Sequence, residues 1–231
     1  MDVQLLASTP NAEDLVVAAA RLCYSSSSSF EELLTWTEER KFALLQKVLT
    51  AGHLSVLEHA SFTFGVSGIS RACSHQLVRH RIASFSQQSQ RYVDASGFEA
   101  VVPPAIAARK EALQRFESLL EEARAAYAEL LDMGIAAEDA RFVLPNAVQT
   151  SLVVTMNARE LRHFFALRCC LRAQWEIREL AGKMLILARE KAPLLFAGVG
   201  PACLSGSCPE GGRSCGRMKE VRAAFAAGTI P

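Results

Sequence analysis

A chain of 231 residues, half of them hydrophobic and 21% charged, holds enough apolar surface for a sizeable core, which excludes global disorder and suits one domain with an appendage. Its 25 basic and 24 acidic side chains leave a net charge of +1, which excludes the broad positive field that gathers nucleic acid or anionic membrane, so any anion site must be local. The start lacks a basic segment followed by an apolar run, and no stretch reaches the ~18 consecutive apolar residues of a membrane span, so a soluble, cytoplasmic protein with no nucleic-acid or membrane partner is expected.

Seven cysteines, an odd number without a secretion signal, favour reduced thiols. After the apolar run 3–7, Thr9, Pro10 and Asn11 form a turn into a helix, because Leu15, Ala18, Ala19 and Leu22 recur at helical spacing; it should end near Tyr24. The five serines at 25–29 compete for backbone hydrogen bonds and read as a loop. A second helix over 37–51 stops at Gly52, and 53–59 is then a loop. Alternation of Phe62, Phe64 and Val66 predicts a strand over 60–66, with Gly65 and Gly68 marking its end.

A helix over 69–78 leads to a loop through 79–92. The amphipathic stretch 111–133, ending at Gly134, and a shorter helix over 136–141, closed before Pro145, are scaffold. Residues 149–156, rich in Val and Thr, form a strand, after which Asn157 and Glu160 have capping-box spacing at the head of a helix over 158–171. The last main helix covers 174–191, and Pro193 ends it. The one compositional break, a Gly/Cys/Pro-rich stretch over 198–216, divides the chain into a domain of 1–197 and a tail of 198–231. The fold class is α/β of the α+β type, a central sheet surrounded by helices.

The segment RHRIASFSQQSQRY at 79–92 carries the chemistry. Arg79, His80, Arg81 and Arg91 surround Ser84, Ser86, Gln87, Gln88 and Ser89, with no acid among them. On the preceding helix Arg71, His75 and Arg79 share a face, and Gln76 lies four residues before His80. Arg forks bind phosphate oxygens and Gln and Ser read the edge of a base, so the composition suits a nucleotide; a solvated basic face with a polar loop is the blander alternative.

The order of residues then matters. Arg79-His80-Arg81, seven residues and Ser89 resembles the RHR-x7-S signature of the flavin-dependent thymidylate synthases. Gly52-His53-Leu54-Ser55-Val56-Leu57-Glu58-His59 resembles the same family's GHxSxxEH segment, and its spacing differs from known helical metal motifs. Ala140 to Pro145, Asn157-Ala158-Arg159-Glu160-Leu161, Leu167-Arg168 and Ala173-Gln174-Trp175-Glu176-Ile177-Arg178 resemble further family blocks in order, so the similarity covers about 5–195.

The resemblance implies the thymidylate synthase-complementing fold and reductive methylation of dUMP to dTMP. It also implies 5,10-methylenetetrahydrofolate as carbon donor, yielding tetrahydrofolate, and NADPH-reduced FAD as hydride source. No Rossmann motif is required, and none is present, since Gly198-Val199-Gly200 stops short of a dinucleotide fingerprint. The match puts Ser55, Arg79, His80, Arg81, Gln87, Asn157, Arg159 and His163 at flavin-contacting positions. Gln76, Arg79, Gln87, Ser89, Arg91, Arg141 and Arg168 fall where dUMP is held, with Arg91 and Arg141 the phosphate candidates. Arg168 is the expected catalytic residue, a guanidinium that favours the N3 anion of uracil and pushes electron density to C5.

Ser89 is read as a positioning residue, since no base is legible to activate it. Some family members carry Glu in place of Gln87, or Asn in place of Ser86 or His163; Gln87 cannot act as a carboxylate base. The resemblance further implies a homotetramer with active sites shared between subunits. No metal site is assigned: Cys203, Cys208 and Cys215 offer three soft ligands where an ordered site needs a fourth, and a loop tail is the other reading. Two rivals stand beside the synthase. One is a single-strand-binding module using Phe85 and Tyr92 as stacking rings, weakened by near-neutral charge and low aromatic content; the other is a different flavoprotein on the same scaffold.

Overall fold

The computed structural model describes residues 1–25 and 36–230, so positions 26–29 of the serine run lie outside the described residues. The chain folds as α+β, with one four-stranded antiparallel sheet of order β1-β2-β4-β3 and helices around it. The strands are β1 (Asp2–Ser8), β2 (Ser61–Ser70), β3 (Ala83–Gln87) and β4 (Gln149–Asn157). The principal helices are α1 (Ala12–Leu22), α2 (Glu38–Thr50), α3 (Arg71–Leu77), α4 (Pro104–Ala107), α5 (Lys110–Asp132), α6 (Ala137–Ala140), α7 (Ala158–Arg168), α8 (Trp175–Lys191) and α9 (Met218–Ala226).

Two compact units divide the chain: Met1–Asp2, Val66–Arg79 and Phe85–Val153 form the first; Val3–Gly65, His80–Ser84 and Val154–Pro231 form the second. In the first, Phe98, Leu120 and Val148 make a small core against α5, and the Arg124 guanidinium lies 4.8 Å over the Phe98 ring. The second has an aromatic core in which the Phe62 and Phe196 rings meet edge-on at 5.3 Å and Phe165 meets Phe196 at 6.0 Å. Leu180, Met184 and Leu185 of α8 and Val16 and Val17 of α1 are buried in that unit as well.

Most elements lie where periodicity puts them, and four departures have local causes. Residues expected as a loop after Gly52 wind into a 3-10 helix, Leu54–His59, which buries Val56 and Leu57. Strand β2 continues through both glycines that were expected to end it. At Gly65 a Cβ would come within 3.1 Å of the Leu6 side chain, so the missing side chain admits β1's leucine; Gly68 takes φ +69 while Ile69 keeps the buried register.

Strand β3 lies inside the segment expected to be a loop, because Ser84, Ser86 and Gln87 conceal a period-two alternation around Phe85. The tail is not a bare loop either: it carries α9, whose Val221 is buried and whose Arg222 donates to the Cys203 carbonyl at 2.8 Å and the Gly206 carbonyl at 2.7 Å. Gly200, too short a motif for a dinucleotide, has a packing reason. A Cβ there would meet the Phe225 ring at 2.4 Å.

No helix among the described residues is long and apolar enough to cross a membrane.

Candidate active site

The second unit assembles its site on α7. Asn157 is the helix N-cap, its side-chain oxygen accepting from the Glu160 backbone N–H at 2.9 Å. The reciprocal half of a capping box would use the Glu160 carboxylate. That carboxylate instead turns to His80, whose Nδ1 lies 3.0 Å from Oε1, with His80 and Glu160 only 5% and 7% exposed. On the other side of the imidazole, Arg168 Nε donates to His80 Nε2 at 3.1 Å.

These contacts fix a tautomer. A guanidinium can only donate, so Nε2 must be the bare nitrogen, and the ring proton sits on Nδ1 facing Glu160. Burial, first of all, pushes the His80 pKa down, the Glu160 hydrogen bond opposes it, and the Arg168 charge reinforces it. Glu160, His80 and Arg168 therefore form a hydrogen-bonded line that holds the last guanidinium of α7 in one orientation. The Phe164 ring packs edge-to-face with the imidazole, their centroids 4.9 Å apart.

A second group lies on exposed surface of the same unit. Within the 3-10 helix Ser55 and Glu58 are three residues apart and so share a face, and Glu58 is ion-paired with Arg159 in the first turn of α7. His163, four residues on from Arg159, is on the same face, and its ring lies 6.0 Å from that of His80. The structure thus brings Ser55, Arg159, His163, His80 and Arg168 into one neighbourhood, while Arg81 is exposed in the short segment after His80. Hydroxyl, guanidinium and imidazole donors of this kind fit the pyrophosphate and ring carbonyls of a flavin dinucleotide.

The first unit holds the remaining residues. Gln87 Nε2 donates to Ser74 Oγ at 3.0 Å and Thr150 Oγ1 at 3.2 Å, which pins its amide and turns its nitrogen inward. Ser89 Oγ accepts from the Arg91 backbone N–H at 3.2 Å, so the hydroxyl shapes the turn. Arg91 pairs with the Glu138 carboxylate through Nε at 2.8 Å and Nη2 at 2.7 Å, and Arg141 Nε donates to the Glu138 carbonyl at 2.9 Å. Arg71 has its pKa pushed down by burial and then by the charge of Arg141, so two cations crowd each other here. Gln76 and Arg79 lie on and just beyond α3; Arg79 is exposed.

A cavity of about 330 Å³ in this unit is walled by Ser89, Gln88, Gln149 and Ser151. Of the expected substrate residues only Ser89 lines it. Sequence reasoning missed Glu160 as more than a cap and missed Ser74 and Thr150 behind Gln87; the one signal was a carboxylate inside the Asn157-to-Leu161 block, with no acid in the 79–92 segment to pair with His80. Cys169 is no candidate nucleophile, because its thiol is buried and pushed up to about 12.

The sequence profile of the family described as Thymidylate synthase complementing protein matches residues 4–194. The chain belongs to that family. Among similar proteins, a flavin-dependent thymidylate synthase of Geobacter sulfurreducens is 56% identical over 227 residues, covering 97% of this chain and 98% of the relative. Counterparts of the same description from Nitratidesulfovibrio vulgaris and Clostridium tetani are 51% and 44% identical, covering 93% and 95% of this chain and 94% and 95% of theirs. Membership of the thymidylate synthase complementing family gives the Glu160, His80 and Arg168 line a chemical setting.

Proposed function

We propose that this protein is a flavin-dependent thymidylate synthase, converting dUMP to dTMP with 5,10-methylenetetrahydrofolate as carbon donor. NADPH-reduced FAD supplies the hydride and tetrahydrofolate is released. The observation that carries the reading is Arg168, fixed through neutral His80 by Glu160, in a chain whose relatives bear that description over nearly their whole length.

A guanidinium held rigidly at the uracil edge stabilises negative charge at N3 and raises electron density at C5, where the carbon is added. His80, with both ring nitrogens engaged, acts in this reading by orienting Arg168 beside the flavin. The flavin contacts are Ser55, Arg79, His80, Arg81, Gln87, Asn157, Arg159 and His163. Arg91 and Arg141 take the dUMP phosphate, with Glu138 exchanging its partner for the anion, and Gln76, Arg79, Gln87 and Ser89 position sugar and base. The catalytic body spans 1–197 with 198–231 as an appendage. In this reading the enzyme is a cytoplasmic homotetramer with sites shared between subunits, and nucleic acid and membrane are not its partners.

The test is anaerobic mixing of purified protein with FAD, NADPH, dUMP and methylenetetrahydrofolate, following flavin absorbance and dTMP, with Arg168→Ala alongside. Flavin reduction and dTMP formation are expected, with dTMP lost by about a hundredfold or more in the variant. Absence of bound flavin and of dTMP would overturn the reading; reduction without dTMP would favour the rival flavoprotein.

A further inference from the structure

We propose that Cys170, Cys203, Cys208 and Cys215 form a tetrathiolate site for one zinc ion, which ties the C-terminal tail to the segment that carries Arg168. The tail's three cysteines, spaced by four and six residues, are one ligand short by sequence. The structure supplies the fourth. Beyond the end of α7 the chain makes a turn, with the Ala173 N–H donating to the Cys170 carbonyl at 2.8 Å, and Cys170 lines a cavity of about 290 Å³ whose wall also holds Cys203, Cys208 and Cys215. None of the four is in a disulfide. Two other thiols, Cys73 and Cys169, are spent in core packing, and Cys23 lies exposed; none of these three lines that cavity.

A packing role explains the cluster poorly. Across 201–217 only Pro201 and Cys203 are buried, and the stretch contains no more regular structure than the 3-10 turns Ala202–Leu204 and Gly211–Arg213. A loop-rich piece with so little core of its own is the kind of segment that a metal or disulfides must hold. Four sulfur ligands, three of them from a glycine-containing stretch, suit a closed tetrahedral zinc site with Zn–S distances of about 2.3 Å.

Charge balance agrees. Binding converts four thiols and Zn²⁺ into a complex of net charge −2 with release of four protons, about the stoichiometry of a structural zinc site. Arg168 and Arg172 line the same cavity and offset that charge, against the single carboxylate of Glu210 in the wall. Among the described residues no three His, Cys, Asp or Glu side chains stand in metal-holding geometry. Closure therefore requires each sulfur to turn about its one side-chain torsion and the loop at Gly206, Gly211 and Gly212, where a Cβ would meet nothing within 4 Å, to draw in.

The experiment is elemental analysis of untagged full-length protein, with mercurial titration of the native protein in the presence of a chromogenic zinc indicator. About one zinc per chain is expected, released as the thiols are titrated, with Cys170→Ser and Cys208→Ser each falling to roughly a tenth of that and Cys23→Ser unchanged. Cobalt exchanged into the wild-type protein should show intense sulfur-to-metal absorption, a readout that needs no variant. Protein that is zinc-free as purified and takes up none under reducing conditions would overturn the proposal. So would zinc retained by both serine variants, or iron with acid-labile sulfide in zinc's place. Because metal is counted without turnover, failure here would leave the synthase reading standing.

Discussion

Replacing Glu160 by Gln keeps the shape of the side chain and removes the charge that faces His80. A hydrogen bond to a charged partner contributes about 1.5–3 kcal/mol and a neutral one about 0.5–1.5, so the exchange forfeits about 1 kcal/mol. The carboxylate also sits in the first turn of α7, where the helix dipole adds about 0.3–1 kcal/mol. Against this, a residue only 7% exposed no longer has a charge to desolvate, which returns part of the loss. The net cost in urea unfolding should be near 1 kcal/mol.

Turnover should suffer more visibly. With His80 less firmly oriented, Arg168 loses its fixed acceptor, and about 1.4 kcal/mol of lost transition-state stabilisation corresponds to a tenfold fall in kcat. The KM for dUMP should change little, because the residues proposed to hold the phosphate, Arg91 and Arg141, are not in this line. Nuclear magnetic resonance of the imidazole gives an independent reading: the Glu160 hydrogen bond and charge oppose the downward push of burial, so His80 should titrate lower still in Glu160→Gln. An unchanged kcat together with an unchanged His80 titration would refute the idea that this line orients Arg168.

Phe62→Ala removes a fully buried ring packed edge-on against Phe196 and should cost about 3–5 kcal/mol in denaturant unfolding. Arg141→Gln relieves the repulsion on Arg71 but deletes one of the two guanidinium groups proposed to hold the phosphate, so the KM for dUMP should rise roughly tenfold and become less sensitive to salt, as initial-rate kinetics at two ionic strengths would show. The folded pKa of His80 lies below its ordinary 6.5, so the unfolded chain binds the proton first on acidification. Its contribution to stability is complete above that ordinary value and is lost as pH falls through the folded one; thermal unfolding across this window should show the slope, and His80→Gln should flatten it.

Periodicity made α1, α2, α5, α7 and α8 legible because each buries one stripe, and the alternation in β4 did the same for a strand. The failures share a cause: polar composition hid a backbone pattern. Ser84 and Ser86 made β3 resemble a loop, and the glycine- and cysteine-rich tail gave no periodic warning of α9. Motif order singled out Arg168 and His80 as candidates, but their join through Glu160 was hidden, because Glu160 lies 80 residues beyond His80 in the chain and only the fold brings the two together. Asn157 was read correctly as a cap from Glu160's spacing, while the Glu160 side chain was free to serve elsewhere.

The division of the chain into interleaved segments bears on how the protein is made. The second unit needs Val3–Gly65 and also Val154 onward, with nearly all of the first unit's sequence between them. At about 5–20 residues per second, the ribosome takes roughly 4–18 s to synthesise 66–153, and throughout that interval Phe62 has no Phe196 to meet. Residues 3–65 therefore wait for the rest of their unit, a natural client for a holding chaperone, and 154–231 made alone would lack the earlier segments of the same unit.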